Sequence, residues 1–138
     1  MKPVILDAGP LVAWFCPRDE HHRWVRRAFT ELASGSIICE PVLTEVCHLV
    51  AKEGVARGHV IESIARGRLN PVFLGNELAS IAKLLHSYAD VPMDFADACL
   101  VRLAELYPDA VVCTTDKDFL VYRRLGHERI PLIAPFGG

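Results

Sequence analysis

The sequence predicts an α/β domain built on a parallel sheet covered on both faces, and three observations predict it. Short apolar runs alternate with longer segments of helical period along the whole chain, with no repeat, linker or low-complexity stretch between them. The apolar runs are continuous rather than alternating, the pattern of strands buried on both sides. A chain of 138 residues, 51% hydrophobic and 23% charged, suffices for one core, so residues 1–138 are read as one domain.

The first run, Pro3–Leu6, reads as a strand that ends at Asp7. Gly9-Pro10 then opens a helix, Leu11–Phe15, with proline at the favoured first position. On this reading Gly9 is the cap and Asp7 has no capping role. Asp7 is left as a carboxylate at the C-terminal tip of a first strand, where open α/β sheets build sites. Asp19–Ala33 is an amphipathic helix with Trp24, Val25, Ala28, Phe29 and Leu32 on its apolar side. Arg18, His21, His22, Arg23, Arg26 and Arg27 make the remainder basic, and a solvated face accounts for that charge without a function.

Ser36–Cys39 is the second strand, and Pro41 starts a helix reaching about Glu53. At about 100° per residue, Val42, Leu43, Val46, Leu49 and Val50 share one face. Glu45 falls at the edge of that face, able either to reach outward or to point along the core boundary toward the strand tips. Ala56–Gly67 is a shorter helix, Pro71–Leu74 a third strand, and Glu77–Tyr88 an amphipathic helix.

From Phe95 to Tyr107 apolar residues surround the helix, so it is expected to be buried, yet Asp94 and Asp97 stand at its start. A capping box explains that pair as well as a site does. Ala110–Thr114 is a buried strand with Asp116 and Asp118 beyond its end. Thr115 or Asp116 can cap a helix over Lys117–Arg124, which runs into a basic turn (Arg123, Arg124, His127, Arg129) before a last strand at Pro131–Ala134.

In a parallel sheet the loops after the strands gather at one edge. Asp7, Asp116 and the start of the Asp94 helix converge there, with Glu45 entering from the side. Carboxylates crowded in one place repel, and burial adds to the penalty, so they take up protons or bind a cation. All-oxygen donors suit Mg²⁺ or Mn²⁺ better than zinc or copper. A metal so held activates water and neutralises a phosphodiester, which points to a metal-dependent phosphodiesterase. No G-x-x-x-x-G-K-[ST] or G-x-G-x-x-G occurs, so no nucleotide cofactor is expected.

The five cysteines form no C-x-x-C and sit mostly in apolar stretches, as small core residues of a reducing cytosol do. The first apolar segment contains Asp7 and Pro10, unlike a signal peptide, and no run approaches the roughly 20 residues of a membrane span. A cytoplasmic location without membrane contact is therefore expected.

Four segments, ILDAGPLVAWF, EPVLTEVCHLV, DFADACL and VVCTTDKDF, together resemble the PIN domain, at the size of the VapC-type toxin ribonucleases. The resemblance covers essentially the whole chain. It implies a five-stranded parallel sheet and assigns the acids of a catalytic metal site to Asp7, Glu45, Asp97 and Asp116. By the same resemblance Asp118 is an additional acid, Asp94 an outer one, and Thr114 a hydroxyl that orients a carboxylate or water. It further implies Mg²⁺- or Mn²⁺-dependent cleavage of RNA, homodimers, and inhibition by a cognate antitoxin. One departure stands out: many members carry Ser or Thr two residues after the first Asp, where this chain has Gly9.

Two other readings compete. A metal-dependent phosphatase on small phosphoesters shares the metal chemistry. A binding module that no longer cleaves would have lost one of the four acids, and none is lost. A response-regulator receiver fits poorly, because Asp7 stands alone and the third and fifth strands lack their acid and lysine. With a net charge of −2 the RNA backbone needs local cations. Of the clusters Arg18–Arg27, Arg57–Arg68 and Arg123–Arg129, the last lies nearest in sequence to Asp116. On a Lys117–Arg124 helix, Arg123 and Arg124 sit about 10 Å along the axis from the site and are the expected RNA contacts.

Overall fold

The computed structural model describes residues 2–31, 35–67 and 69–137. Five strands, β1 (Val4–Leu6), β2 (Ser36–Cys39), β3 (Leu69–Val72), β4 (Val111–Cys113) and β7 (Leu132–Ile133), form one sheet. Their order is β3-β2-β1-β4-β7 and every pairing is parallel. Among the described residues six α-helices connect them: α1 (Ala8–Phe15), α2 (His22–Glu31), α3 (Glu40–Lys52), α4 (Arg57–Arg66), α5 (Leu78–Ser87) and α6 (Phe95–Leu106). A two-residue pair, β5 (Arg123–Arg124) and β6 (Glu128–Arg129), forms a separate antiparallel hairpin.

Strand order positions the site. From β1 the chain moves outward to β2 and β3, then returns past β1 to β4 on its other side. Right-handed crossovers in opposite directions place helices on opposite faces of the sheet. They also leave a crevice between the C-terminal ends of β1 and β4, where the winding reverses. Asp7 follows β1 directly, and Thr114 to Asp118 follow β4.

α6 lies against β1 and β4. Its small residues Ala96, Ala98, Cys99 and Ala104 are buried and allow close approach, while Leu100, Val101 and Leu103 are wholly inaccessible. Truncating Leu100 or Leu103 to alanine removes a packed side chain at a cost of about 2–5 kcal/mol. Cys16, Cys39, Cys99 and Cys113 are buried thiols and Cys47 is half-buried, in keeping with their reading as small packing residues. No helix among the described residues is long and apolar enough to cross a membrane.

Several sequence expectations need correction. α1 begins at Ala8, and its N-cap is Asp7, whose carboxylate accepts the Ala8 N–H. Pro10 is therefore the third helical residue. Any first-turn N–H lacks an intrahelical acceptor, so proline there marks the first turn without fixing its place in it. The third strand is Leu69–Val72 rather than Pro71–Leu74, because register with β2 pairs Ile38 with Pro71 and Cys39 with Val72. β3 is an edge strand, which tolerates proline, and Phe73 beyond it is 76% exposed.

The Lys117–Arg124 helix is also absent: Lys117–Leu120 forms one 3₁₀ turn, and Arg123–Arg124 is strand β5. Leu125 and Gly126 both have positive φ, 54° and 80°, which closes a hairpin and forbids a continuing helix. The expected end of the second helix, Leu32–Ala33, lies outside the described residues.

Candidate active site

Asp7 is 6% exposed. One carboxylate oxygen accepts the Ala8 N–H at 2.7 Å and the other accepts the Thr114 hydroxyl at 2.7 Å. The Thr114 oxygen also accepts the Asp116 N–H at 3.0 Å, so one buried hydroxyl ties the acid after β1 to the turn after β4. Asp116 caps the 3₁₀ turn by accepting the Asp118 N–H at 2.9 Å.

At the start of α6 the capping box is complete. Asp94 accepts the Asp97 N–H at 2.8 Å, and Asp97 accepts the Asp94 N–H at 3.2 Å. The Tyr122 hydroxyl lies 3.3 Å from the same Asp97 oxygen while donating to the Pro92 carbonyl. Tyr122 is buried between Tyr88 and Phe119, with edge-on ring contacts at 5.4 and 5.0 Å. Capping and convergence are thus compatible: Asp97 is held by its cap contacts and still belongs to the acidic cluster.

The acids act on one another electrostatically. Burial, joined by the charges of Asp116 and Asp94, raises the Asp7 carboxyl above its ordinary range despite its hydrogen bonds to Thr114 and Ala8. Burial likewise raises Glu45, which also feels Asp7, Asp94 and Asp116. Asp97 is pushed up to about 7 by burial and by Asp94, Asp7 and Asp116. Asp118 is raised by partial desolvation and by Asp116. Burial, with Asp97 next to it, raises the Tyr122 phenol, keeping it a donor at any working pH.

The structure thus brings Asp7, Glu45, Asp94, Asp97 and Asp116 around one edge of the sheet. Glu45 and Asp94 also face an open groove of about 920 Å³ whose apolar wall includes Phe73, Leu78 and Phe95. Among the described residues no three His, Cys, Asp or Glu side chains already stand close enough to hold one ion.

Gly9, the departure from the family pattern, has a local cause. A Cβ at this position would lie 2.1 Å from the Thr115 hydroxyl oxygen, so Thr115 fills the space a side chain would take. This lets the Thr114–Asp118 turn sit directly on the first turn of α1. Gly9→Ala is expected to lower the melting temperature through overpacking, typically about 1–3 kcal/mol. The double variant Gly9→Ala/Thr115→Ala should melt above Gly9→Ala; a double variant melting at or below the single one would separate the two positions.

Arg123 and Arg124 do not stand free at the site. Arg124 is 5% exposed, donates to the Ala104 carbonyl at 3.1 Å, and pairs with Glu128 at 2.9 Å. Arg123 is half-buried, and its Nη1 donates to the carbonyls of Leu120, Val121 and Tyr122. Both arginines tie the hairpin to the domain, and the helix that would have pointed them at RNA does not form. Sequence reasoning missed Tyr122 and the Gly9–Thr115 contact. Tyr122 fell within the misassigned helix, and nothing in the sequence pairs residue 9 with residue 115.

The PIN domain profile matches residues 4–125. The chain belongs to the PIN domain family. It is 28% identical over 134 residues to ribonuclease VapC26 of Mycobacterium tuberculosis, spanning 94% of this chain and 99% of the relative. Its fold is also that of the Mycobacterium tuberculosis VapC20 crystal structure, described as a sarcin-ricin loop cleaving toxin. That likeness has a TM-score of 0.74 at 16% identity, over 83% of this chain and 91% of the other. As a PIN domain it has the expected five-stranded parallel sheet, with Asp7 and Asp116 at the crevice where the strand order reverses.

Proposed function

We propose that this PIN domain is a divalent-metal-dependent endoribonuclease, the toxin of a toxin–antitoxin pair, with Asp7, Glu45, Asp97 and Asp116 as its metal-holding and catalytic acids. The observation that carries the reading is the convergence of these acids, with burial and mutual repulsion raising the Asp7, Glu45 and Asp97 carboxyls together. Such a cluster is under strain without a counter-charge, and its all-oxygen donors fit Mg²⁺ or Mn²⁺. When bound, the ion would neutralise phosphate charge and acidify a water. The full-length similarity to a ribonuclease VapC favours RNA as the substrate and an antitoxin as the partner.

The side chains have distinct tasks in this reading. Thr114 and the first turn of α1 fix both oxygens of Asp7, so its orientation is set before substrate arrives. The capping box and Tyr122 restrict Asp97. Asp116 is positioned through its own N–H by Thr114. Asp94, which holds the Asp97 N–H, and Asp118, whose N–H Asp116 caps, are supporting acids, and homodimers remain part of the proposal.

Internal cuts in an end-labelled single-stranded RNA are the expected product. A small-phosphoester phosphatase is the reading this excludes: phosphate release from such esters, with RNA left intact and unable to compete, would replace the nuclease by that enzyme.

A further inference from the structure

We propose that the outer face formed by the α1–α2 loop and the start of α2, through Arg18, Arg23 and Arg26, carries the RNA backbone beside the cleavage site. The proposal rests on the ribonuclease reading above and names the surface that reading lacks once Arg123 and Arg124 are tied into the hairpin.

Among the described residues three arginines elsewhere are engaged in ion pairs, Arg124 with Glu128 as above. Arg66 pairs with Glu62 at 3.1 Å, and Arg102 with Glu77 at 2.7 Å and Glu105 at 3.1 Å. Arg18, Arg23 and Arg26 are exposed and have no ion-pair partner among the described residues. Arg27 lies one turn before Glu31 and is left out of the set. The acids beside these arginines contact His21: Asp19 accepts the His21 N–H at 2.9 Å, and Glu20 lies 3.2 Å from the His21 ring. Arg18, Arg23 and Arg26 outnumber Asp19 and Glu20, so the outward face is net positive on a chain whose total charge is −2.

Arg26 is also held in place. Its guanidinium lies over the Trp14 ring, 6.0 Å from the centroid, and Trp14 stacks on Phe29 at 5.3 Å. A cation resting on an aromatic face loses less freedom on meeting a phosphate.

The face connects with the acids. A hollow of about 410 Å³ has Gly9 and Thr115, neighbours of the acidic residues, on one side and Arg18, His21 and Lys52 on the other. Asp19, Glu20 and Glu53 also line it, so the positive field belongs to the outer arginines rather than to the hollow floor. α1 spans 8 residues, about 12 Å at 1.5 Å per residue, between Asp7 at its cap and the end that carries Trp14. A strand lying across the acids thus meets this face within a short reach.

The test is single-stranded RNA affinity in Ca²⁺ across a salt series, with cleavage in Mg²⁺ measured in parallel. Each lost phosphate contact lowers the single-strand salt slope by about 0.7, so Arg18→Ala/Arg23→Ala/Arg26→Ala should lose about 2 in slope. Its KM should rise with kcat nearly unchanged, and Arg23→Glu alone should weaken binding more than Arg23→Ala. Arg57→Ala/Lys83→Ala, on α4 and α5, should keep the wild-type slope. A folded triple variant with the wild-type slope overturns the proposal while leaving the nuclease reading intact. Wild-type protein that neither binds nor cuts RNA overturns both.

Discussion

Asp97→Asn is expected to abolish RNA cleavage, by a factor of 100 or more on the order of a lost catalytic group, without destabilising the metal-free protein. Asparagine keeps an oxygen for the Asp94 N–H, which Asp97 accepts at 3.2 Å, so the cap survives. What disappears is a charge raised to about 7 by burial and by Asp94, Asp7 and Asp116. The sign follows from linkage. A carboxyl whose folded pKa lies above its ordinary 3.8 adds stability that is complete below that value and is lost as pH rises through about 7. Metal-free wild-type protein should therefore lose stability between about pH 4 and pH 8, and Asp97→Asn should lose less. Asp7 and Glu45 are raised too, so some slope remains in the variant. Melting curves without metal at pH 5 and pH 8 should show the variant gaining on the wild type at the higher pH. A variant that cleaves normally, or falls further behind at pH 8, removes Asp97 from the site. Asp94→Asn keeps the cap that holds the Asp97 N–H at 2.8 Å and should retain substantial activity.

Thr114→Val should be the most damaging change that touches no acid. The side chain is fully buried, and valine matches its shape. Its hydroxyl donates to Asp7 at 2.7 Å and accepts the Asp116 N–H at 3.0 Å, so valine leaves one buried Asp7 oxygen and the Asp116 N–H without partners. Each loss costs about 1–3 kcal/mol, several degrees of melting temperature for a domain of this size. Cleavage should fall at least about tenfold even well below the melting point, since a loose catalytic geometry loses rate steeply. Thr114→Ser restores the hydroxyl and should recover most of the activity. Valine and serine variants of equal activity would reduce Thr114 to a packing role.

Much of this was legible in the sequence, for identifiable reasons. Val4–Leu6, Ser36–Cys39 and Val111–Cys113 form strands because short, mostly apolar runs rich in Val and Ile pack into the core, and Asp7 and Asp116 follow from where those runs stop. α3 and α6 were equally plain from their apolar periods. The failures concern features set by distant partners. PVFL reads as a strand core, but register with β2 moves the strand two residues earlier and leaves Phe73 outside. Arg124 reads as a solvated cation, yet a hairpin closed by positive φ at Leu125 and Gly126 buries it against α6. Gly9-Pro10 reads as a helix start that needs no cap from Asp7, yet helix N-termini accept proline at more than one position and Asp7 is the cap. The mutual raising of the acids could be anticipated only as repulsion; its size at Asp97 depends on burial that the fold supplies.

The central claim is that Asp7, Glu45, Asp97 and Asp116 form a divalent-dependent nuclease centre. Cleavage of single-stranded RNA by the wild-type protein, followed first with a chelator and then on stepwise addition of Mn²⁺ or Mg²⁺, tests it most directly. The account predicts no cuts in chelator, full recovery with either ion, and no recovery at the same ion concentrations for a folded Asp7→Asn or Asp97→Asn variant. Cleavage that persists undiminished in chelator, or that returns equally in those variants, would contradict it.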